Sequence, residues 1–323
     1  MLSKRTFFLF VLLSFFSTNY LAFSAEKKDG EFNMGEMIMH HVLDDYQYEI
    51  MHGLVIPLPV ILYTEKNGLL IFSSSNLFDD DHVPLEEGYN GFKYYHGKLK
   101  PIDQDASYVD LSITKNVVVM IFTAIFMLWL FISLAKSYKT NKGISKGMGR
   151  FFEPIVLYVR DEIARPNIGK NYNKYMSFLL TIFFFVLFLN LLGLTPMGIN
   201  VTGNIAITFS LALLTFIITN VTANKNYWAH IFWMPGVPKP IRLILAPIEL
   251  LGVFIKPLTL MIRLYANMQG GHIVIMSIIG LMFIFYNWIG SSLSFVLAFL
   301  LMIIELFVAL LQAYIFTILS ALY

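Results

Sequence analysis

Residues Leu243–Trp288 form one apolar stretch of about 46 residues. As a helix it would be roughly 69 Å long at 1.5 Å per residue. That is about twice the hydrocarbon core of a bilayer, so the stretch must tilt steeply, bend or break. A second long segment, Leu293–Tyr323, follows. It would span about 46 Å on the same basis, and the pair reads as a slanted helical hairpin. The apolar background is interrupted by Glu249, Lys256, Arg263, Asn267, Gln269 and His272, and later by Glu305 and Gln312. A charge at the bilayer centre costs roughly 2.5–3.5 kcal/mol on insertion scales, and the default reading of such a residue is an ion pathway or a counter-ion. Snorkelling from a helix end is the alternative. It suits Lys256 as well as a functional role does. It suits Arg263 poorly, because MIRLYANM carries apolar runs on both sides.

The rest of the chain agrees with a membrane protein. It is 57% hydrophobic and only 14% charged, against about 25% charged for a soluble domain. The absence of cysteine excludes disulfides, thiolate metal sites and cysteine nucleophiles. A formal net charge of +2 is too small to indicate nucleic acid. No nucleotide-binding motif is present, so no ATP hydrolysis is expected of this chain, and no cofactor.

In chain order, Met1–Ser24 reads as a secretory signal. Lys4 and Arg5 precede an apolar run, and Ala22 and Ser24 offer small residues for cleavage. The apolar core is about ten residues, short of the roughly 20 that a span requires. Residues 25–108 would then be exported, a polar segment of mixed α and β character. MGEMIMHHVLDDYQYEI has apolar residues at helical spacing. LVIPLPVILYT and GLLIFSSS read as strands, with Pro57 and Pro59 confining the first to a sheet edge. His40-His41 with Asp44-Asp45, and Asp79-Asp80-Asp81-His82, lack a recognised metal-ligand spacing, and solvated surface or partner contact is the expected role.

Residues 109–323 make the membrane domain. Its first span, about Asn116–Leu134, is followed by Lys136, Lys139, Lys142, Lys146 and Arg150. The positive-inside rule puts that end in the cytoplasm, in agreement with an exported segment before it. Gly147–Tyr175 reads as a helix on the cytoplasmic surface, with Phe151, Ile155, Val156, Val159 and Ile163 near one face and an end at Pro166 and Gly169. A second span, about Met176–Leu194, turns at Thr195–Gly198. A third, about Asn204–Thr222, is rich in small residues that permit close packing. Asn224–Arg242 reads as a cytoplasmic loop broken by prolines. The expected class is therefore an all-α polytopic membrane protein with about five embedded helical segments and an exported α+β extension. No repeat relates the two halves, which argues against an autonomous secondary transporter.

Positions seven apart on a helix nearly coincide. Glu249, Lys256 and Arg263 are so spaced, and Asn267 continues the stripe one turn on. His272 follows Arg263 by nine residues, about 180° round and about 13.5 Å along. Glu305 and Gln312, again seven apart, share a face of the last segment. Glu and His can relay protons, whereas Arg stays charged and can only attract or repel.

IELLGVFIKPLTLMIRLYANMQGGHI, LLQAYIFTILSALY and NLLGLTP resemble subunit a of the F-type ATP synthases, the stator half of a rotary proton channel. The resemblance covers about Asp110–Tyr323. It implies a bacterial inner-membrane subunit whose partners are the c-subunit ring, the b-subunit peripheral stalk and the remaining Fo and F1 subunits. It further implies that Arg263 faces the c-ring carboxylates, with Asn267 and Gln312 beside it. Glu249 corresponds to an acid of the cytoplasmic half-channel. His272 and Glu305 correspond to a pair of the outer half-channel, in the reverse order to many bacterial members. The exported extension is longer than the common family pattern.

Overall fold

The computed structural model describes residues 35, 38–39, 42–51, 54–65, 68–79, 83–95, 97–103, 107–140, 147, 149–195, 199–223, 225–233, 238–284 and 288–322. The proposed signal, His40, His41, Asp80, Asp81, His82, Lys142, Lys146 and the turn at 196–198 lie outside them. The chain divides into two compact units. One comprises 1–122, 191–201 and 271–303, the other 123–190, 202–270 and 304–323.

In the first unit the described residues of the extension form seven short strands: β1 (Gln47–Met51), β2 (Leu54–Pro57), β3 (Pro59–Thr64), β4 (Gly68–Ser73), β5 (Phe92–Tyr95), β6 (Lys98–Pro101) and β7 (Tyr108–Asp110). They pair as β1-β2, β4-β3-β7 and β5-β6, all antiparallel. The stretch expected to be a single edge strand splits at Leu58, and its second half is the central strand β3. Pro59 tolerates that place because it is the first residue of the strand, where no ladder N–H is needed. Its carbonyl still accepts the Ile113 N–H at 3.2 Å. Period-two alternation turns Val60 and Leu62 inward, where they meet Tyr46, Phe72, Leu77, Phe92 and Leu99.

The turn before β1 ties the extension to the first membrane helix, α1 (Lys115–Thr140). Asp44 Oδ2 accepts from the Thr114 hydroxyl at 2.8 Å, and Oδ1 accepts from the Asn116 N–H at 3.2 Å. The Lys115 N–H bonds to the Asp45 carbonyl at 2.9 Å. Two of the open donors at the start of α1 are thus met from 70 residues upstream. Burial raises the Asp44 carboxyl above its ordinary range, opposed by these hydrogen bonds and by the charge of Lys115. Asp44 is therefore spent on capping a helix. Among the described residues no three His, Asp or Glu side chains gather into a metal site.

The remaining helices are α2 (Gly149–Tyr158), α3 (Arg165–Ile168), α4 (Tyr172–Gly193), α5 (Ile205–Thr222), α6 (Lys225–Phe232), α7 (Lys239–Ile284) and α8 (Trp288–Leu322). Among the described residues five segments are long and apolar enough to cross a bilayer: Lys115–Thr140, Gly149–Gly193, Ile205–Thr222, Pro240–Met282 and Trp288–Leu322. The described chain is thus mainly helical and polytopic. α7 runs unbroken through Pro247 and Pro257.

The helix that begins at 149 ends at Ile168 before Gly169, close to the expected end at Pro166 and Gly169, but it carries an unexpected π-helical segment. Proline removes one N–H of the helical ladder. The chain accommodates it with a π-helical segment, Val159–Ala164, in which the Arg165 N–H reaches the Arg160 carbonyl five residues back. Gly169, at φ 76°, then makes the bend into a 3-10 turn that leads to α4. The buried face here is Phe152, Val159, Ile163 and Ala164, whereas Phe151 is 69% exposed. The loop expected before α7 also contains a helix, α6.

Candidate functional site

On α7, in the second unit, Leu260 and Leu264 are fully buried and Met261 and Met268 nearly so. They seat the helix and leave Arg263 half-buried beside them. One turn on, Asn267 Nδ2 donates to Gln312 Oε1 on α8 at 3.0 Å. Around Gln312 on α8, Ala309, Ala313 and Phe316 are buried as well. Gln312 is itself only 2% exposed, and its Nε2 has no partner among the described residues. Seven residues earlier on α8, the half-buried Glu305 keeps Oε1 buried and without a hydrogen bond among the described residues. Arg263, Asn267, Glu305 and Gln312 thus supply a permanent cation, a cross-helix amide pair and a carboxyl with an unsatisfied oxygen.

Toward its N-terminal half, α7 lines a groove with α5 and α6. The groove encloses about 280 Å³ including its open mouth. Its polar lining is Thr215, Thr219, Asn220, Tyr227 and Lys256. The half-buried Glu249 is close enough for its charge to act on Tyr227. Burial, and then that carboxylate, push the Tyr227 phenol above its usual range. Lys256 therefore belongs to a polar groove. Tyr227 and Asn220 were not singled out from sequence. Tyr227 lay in a segment read as loop, and Asn220 in a span read only for its small residues.

His272 belongs to the first unit. It is 9% exposed, and its Nε2 has no hydrogen-bond partner among the described residues. On α7 it begins a buried stripe with Ile275, Met276 and Ile279, three, four and seven residues on. That stripe packs with Ala298 of α8 and with Ile38 and Val42 of the extension.

The sequence pattern of the ATP synthase A chain family matches residues 117–323, and a domain of unknown function (DUF8433) matches residues 37–120. The ATP synthase subunit a of Pelodictyon phaeoclathratiforme is 38% identical over 302 residues, covering 91% of this chain and 76% of that protein. The ATP synthase subunit a of Myxococcus xanthus is 41% identical over 254 residues, covering 76% of this chain and 82% of the relative. ATP synthase subunit a 2 of Chlorobaculum tepidum is 37% identical over 299 residues, covering 90% and 72%. The first and last of these similarities reach into the extension, well before Asp110, where the sequence motifs alone had placed the limit of the resemblance.

Proposed function

Because the chain belongs to the ATP synthase A chain family, we propose that it is the stator-side proton-conducting subunit of Fo, working against a ring of c-subunits and held by the b-subunit peripheral stalk. The observation that carries this reading is the Arg263–Asn267–Gln312 group. It places a permanent cation one turn from an amide pair that joins the two long helices.

A proton enters from the outside by way of His272 and Glu305 and neutralises a c-ring carboxylate. The neutral group then rotates through lipid, where an ion would be costly. On its return it meets Arg263, whose positive charge favours ionisation of the carboxyl. The proton leaves past Glu249, beside the groove lined by Tyr227, Asn220 and Lys256. Arg263 bars a direct path between the two half-channels. About 2.3 kcal/mol per charge per 100 mV is available to drive the cycle. The combination of Glu, His and Arg favours H⁺ over Na⁺ as the coupling ion.

The chain lies in the bacterial inner membrane, with residues 1–24 removed as a signal, 25–108 outside, 109–323 in the membrane, and the C-terminus in the cytoplasm. The composition of the first compact unit supports this orientation. It gathers the extension, the turn at 191–201 and the hairpin end at 271–303. These are the ends that the positive-inside rule puts outside.

The test is ATP-driven proton pumping in inverted membrane vesicles. Arg263→Ala is expected to abolish pumping while the complex still assembles. Retained pumping refutes the reading.

A further inference from the structure

Three groups around the start of α1 have no place in the mechanism above. Asn116 is 2% exposed, and its Oδ1 has no hydrogen-bond partner among the described residues. Its N–H is held by Asp44, a carboxylate from the extension. Lys115, next to it, is buried to 9% exposure, and its charge acts on both Asp44 and His272. All of these residues belong to one compact unit. In that unit the extension packs directly on the stripe that His272 begins, through Ile38 and Val42 against Ile275, Met276 and Ile279.

Capping alone does not account for this arrangement. A helix N-terminus is adequately capped by a surface Ser or Asn. Here the cap is a half-buried carboxylate beside a buried lysine. Two further buried polar atoms, Asn116 Oδ1 and His272 Nε2, have no partner among the described residues, which is costly if they are dry. Water meets such groups where the site is polar and roomy enough. The neighbouring acids are engaged elsewhere. Asp45 accepts from the Tyr46 N–H and the Tyr94 hydroxyl, and Asp110 accepts from the Tyr46 hydroxyl. Asp44, held at the start of α1, is the carboxylate whose charge meets Lys115.

We infer that the extension closes the outer end of the His272 compartment, and that protons reach His272 through a hydrated passage lined by Asp44, Lys115 and Asn116. The extension is then part of the ion path and not a separate appendage. Asp44 is a positioning residue, which holds the mouth of the passage together at the start of α1 and supplies a negative charge that favours cations at its entry. This rests on the proton-path reading of His272 given above.

The absence of cysteine from the chain makes a direct test available. In the assembled complex, the Asn116→Cys variant is treated from the outer face with a small membrane-impermeant methanethiosulfonate, and the labelled chain is weighed by mass spectrometry. Leu130→Cys, at a site 3% exposed within α1, is the dry control. The expected result is labelling at 116 and none at 130. In parallel, Asp44→Asn keeps the shape and an acceptor oxygen for the Asn116 N–H, turns the Thr114 hydroxyl from donor to acceptor of the new amide N–H, and removes the charge. It is expected to assemble normally and to slow ATP-driven pumping about three- to tenfold, with Asp44→Glu restoring part of the rate. Protection at 116, or Asp44→Asn pumping at the parent rate, overturns the inference. If Arg263→Ala abolishes pumping in the same vesicles, the inference fails alone. If Arg263→Ala still pumps, the proton-path reading fails with it.

Discussion

Asn267 donates through Nδ2 to Gln312 Oε1 at 3.0 Å, and this bond joins the two longest helices one turn beyond Arg263. The partners are unequal. Asn267 is exposed, whereas Gln312 is 2% exposed and keeps a second, unpartnered amide hydrogen-bonding atom in the interior. The bond therefore fixes Gln312 through Oε1 and leaves its buried Nε2 without a partner among the described residues.

Interhelical side-chain bonds in membranes are worth about 0.6 kcal/mol on average, and up to about 1.7. Gln312→Leu is thus expected to reduce pumping severalfold without abolishing it, and to be milder than Arg263→Ala. A double-mutant cycle with Asn267→Leu should give a coupling of about 0.5–1.5 kcal/mol. Vesicle pumping rates and assembly yields measure both. A Gln312→Leu variant more damaging than Arg263→Ala would mean that the helix pairing has been misread.

Glu305 keeps one carboxyl oxygen buried and unbonded among the described residues, so its substitution breaks no observed contact. Glu305→Gln is isosteric and cannot relay a proton. Assembly is expected to be normal and the pumping rate to fall at least tenfold, equivalent to about 1.4 kcal/mol in the barrier. An unchanged rate removes Glu305 from the pathway.

Tyr227 and Glu249 give a spectroscopic test of the groove. Burial, then the Glu249 carboxylate, raise the phenol, so deleting the negative charge lowers it. With fluorotyrosine labelling, the Tyr227 resonance in Glu249→Gln is expected to titrate at lower pH than in the parent. It should stay above the ordinary range, because burial persists. The phenol's preference for its neutral form adds stability that is complete below its unfolded value, about 10, and is lost as the pH rises beyond it. No movement of the titration would separate Glu249 from the groove.

Much of this was legible in the sequence, and the misses have physical causes. The five spans follow from hydropathy alone, because a membrane demands runs of apolar residues that nothing else in the chain supplies. Asn204 was the expected start of the third span, and it caps α5 by accepting from the Ala206 N–H at 3.0 Å. The Glu249–Arg263–Asn267 stripe was legible from helical arithmetic. The end at Pro166 and Gly169 was legible too, whereas the π-helical turn just before the proline leaves no compositional mark. The central place of β3 was hidden for another reason. Pro59 is disqualifying within a strand and harmless at its first residue, and only the pairing with β7, some 50 residues on, decides which applies. The Asp44–Asn116 link escaped for the same cause, as a cap supplied from 72 residues away has no local signature.

Gly97 offers a separate test of how the extension is held. It adopts φ 75°, which favours glycine, and a Cβ there would lie 2.6 Å from the Asp44 carbonyl oxygen. A backbone atom cannot yield as a flexible side chain can. Gly97→Ala therefore combines left-handed strain, of order 1–3 kcal/mol, with displacement of the segment that caps α1. In the assembled complex, amide hydrogen exchange is expected to quicken at Asn116, whose N–H bonds to Asp44, and much less in β3, whose ladder does not involve Gly97. Equal quickening in both would indicate general unfolding of the extension. Unchanged exchange at Asn116 would show that the cap does not depend on the close approach at Gly97.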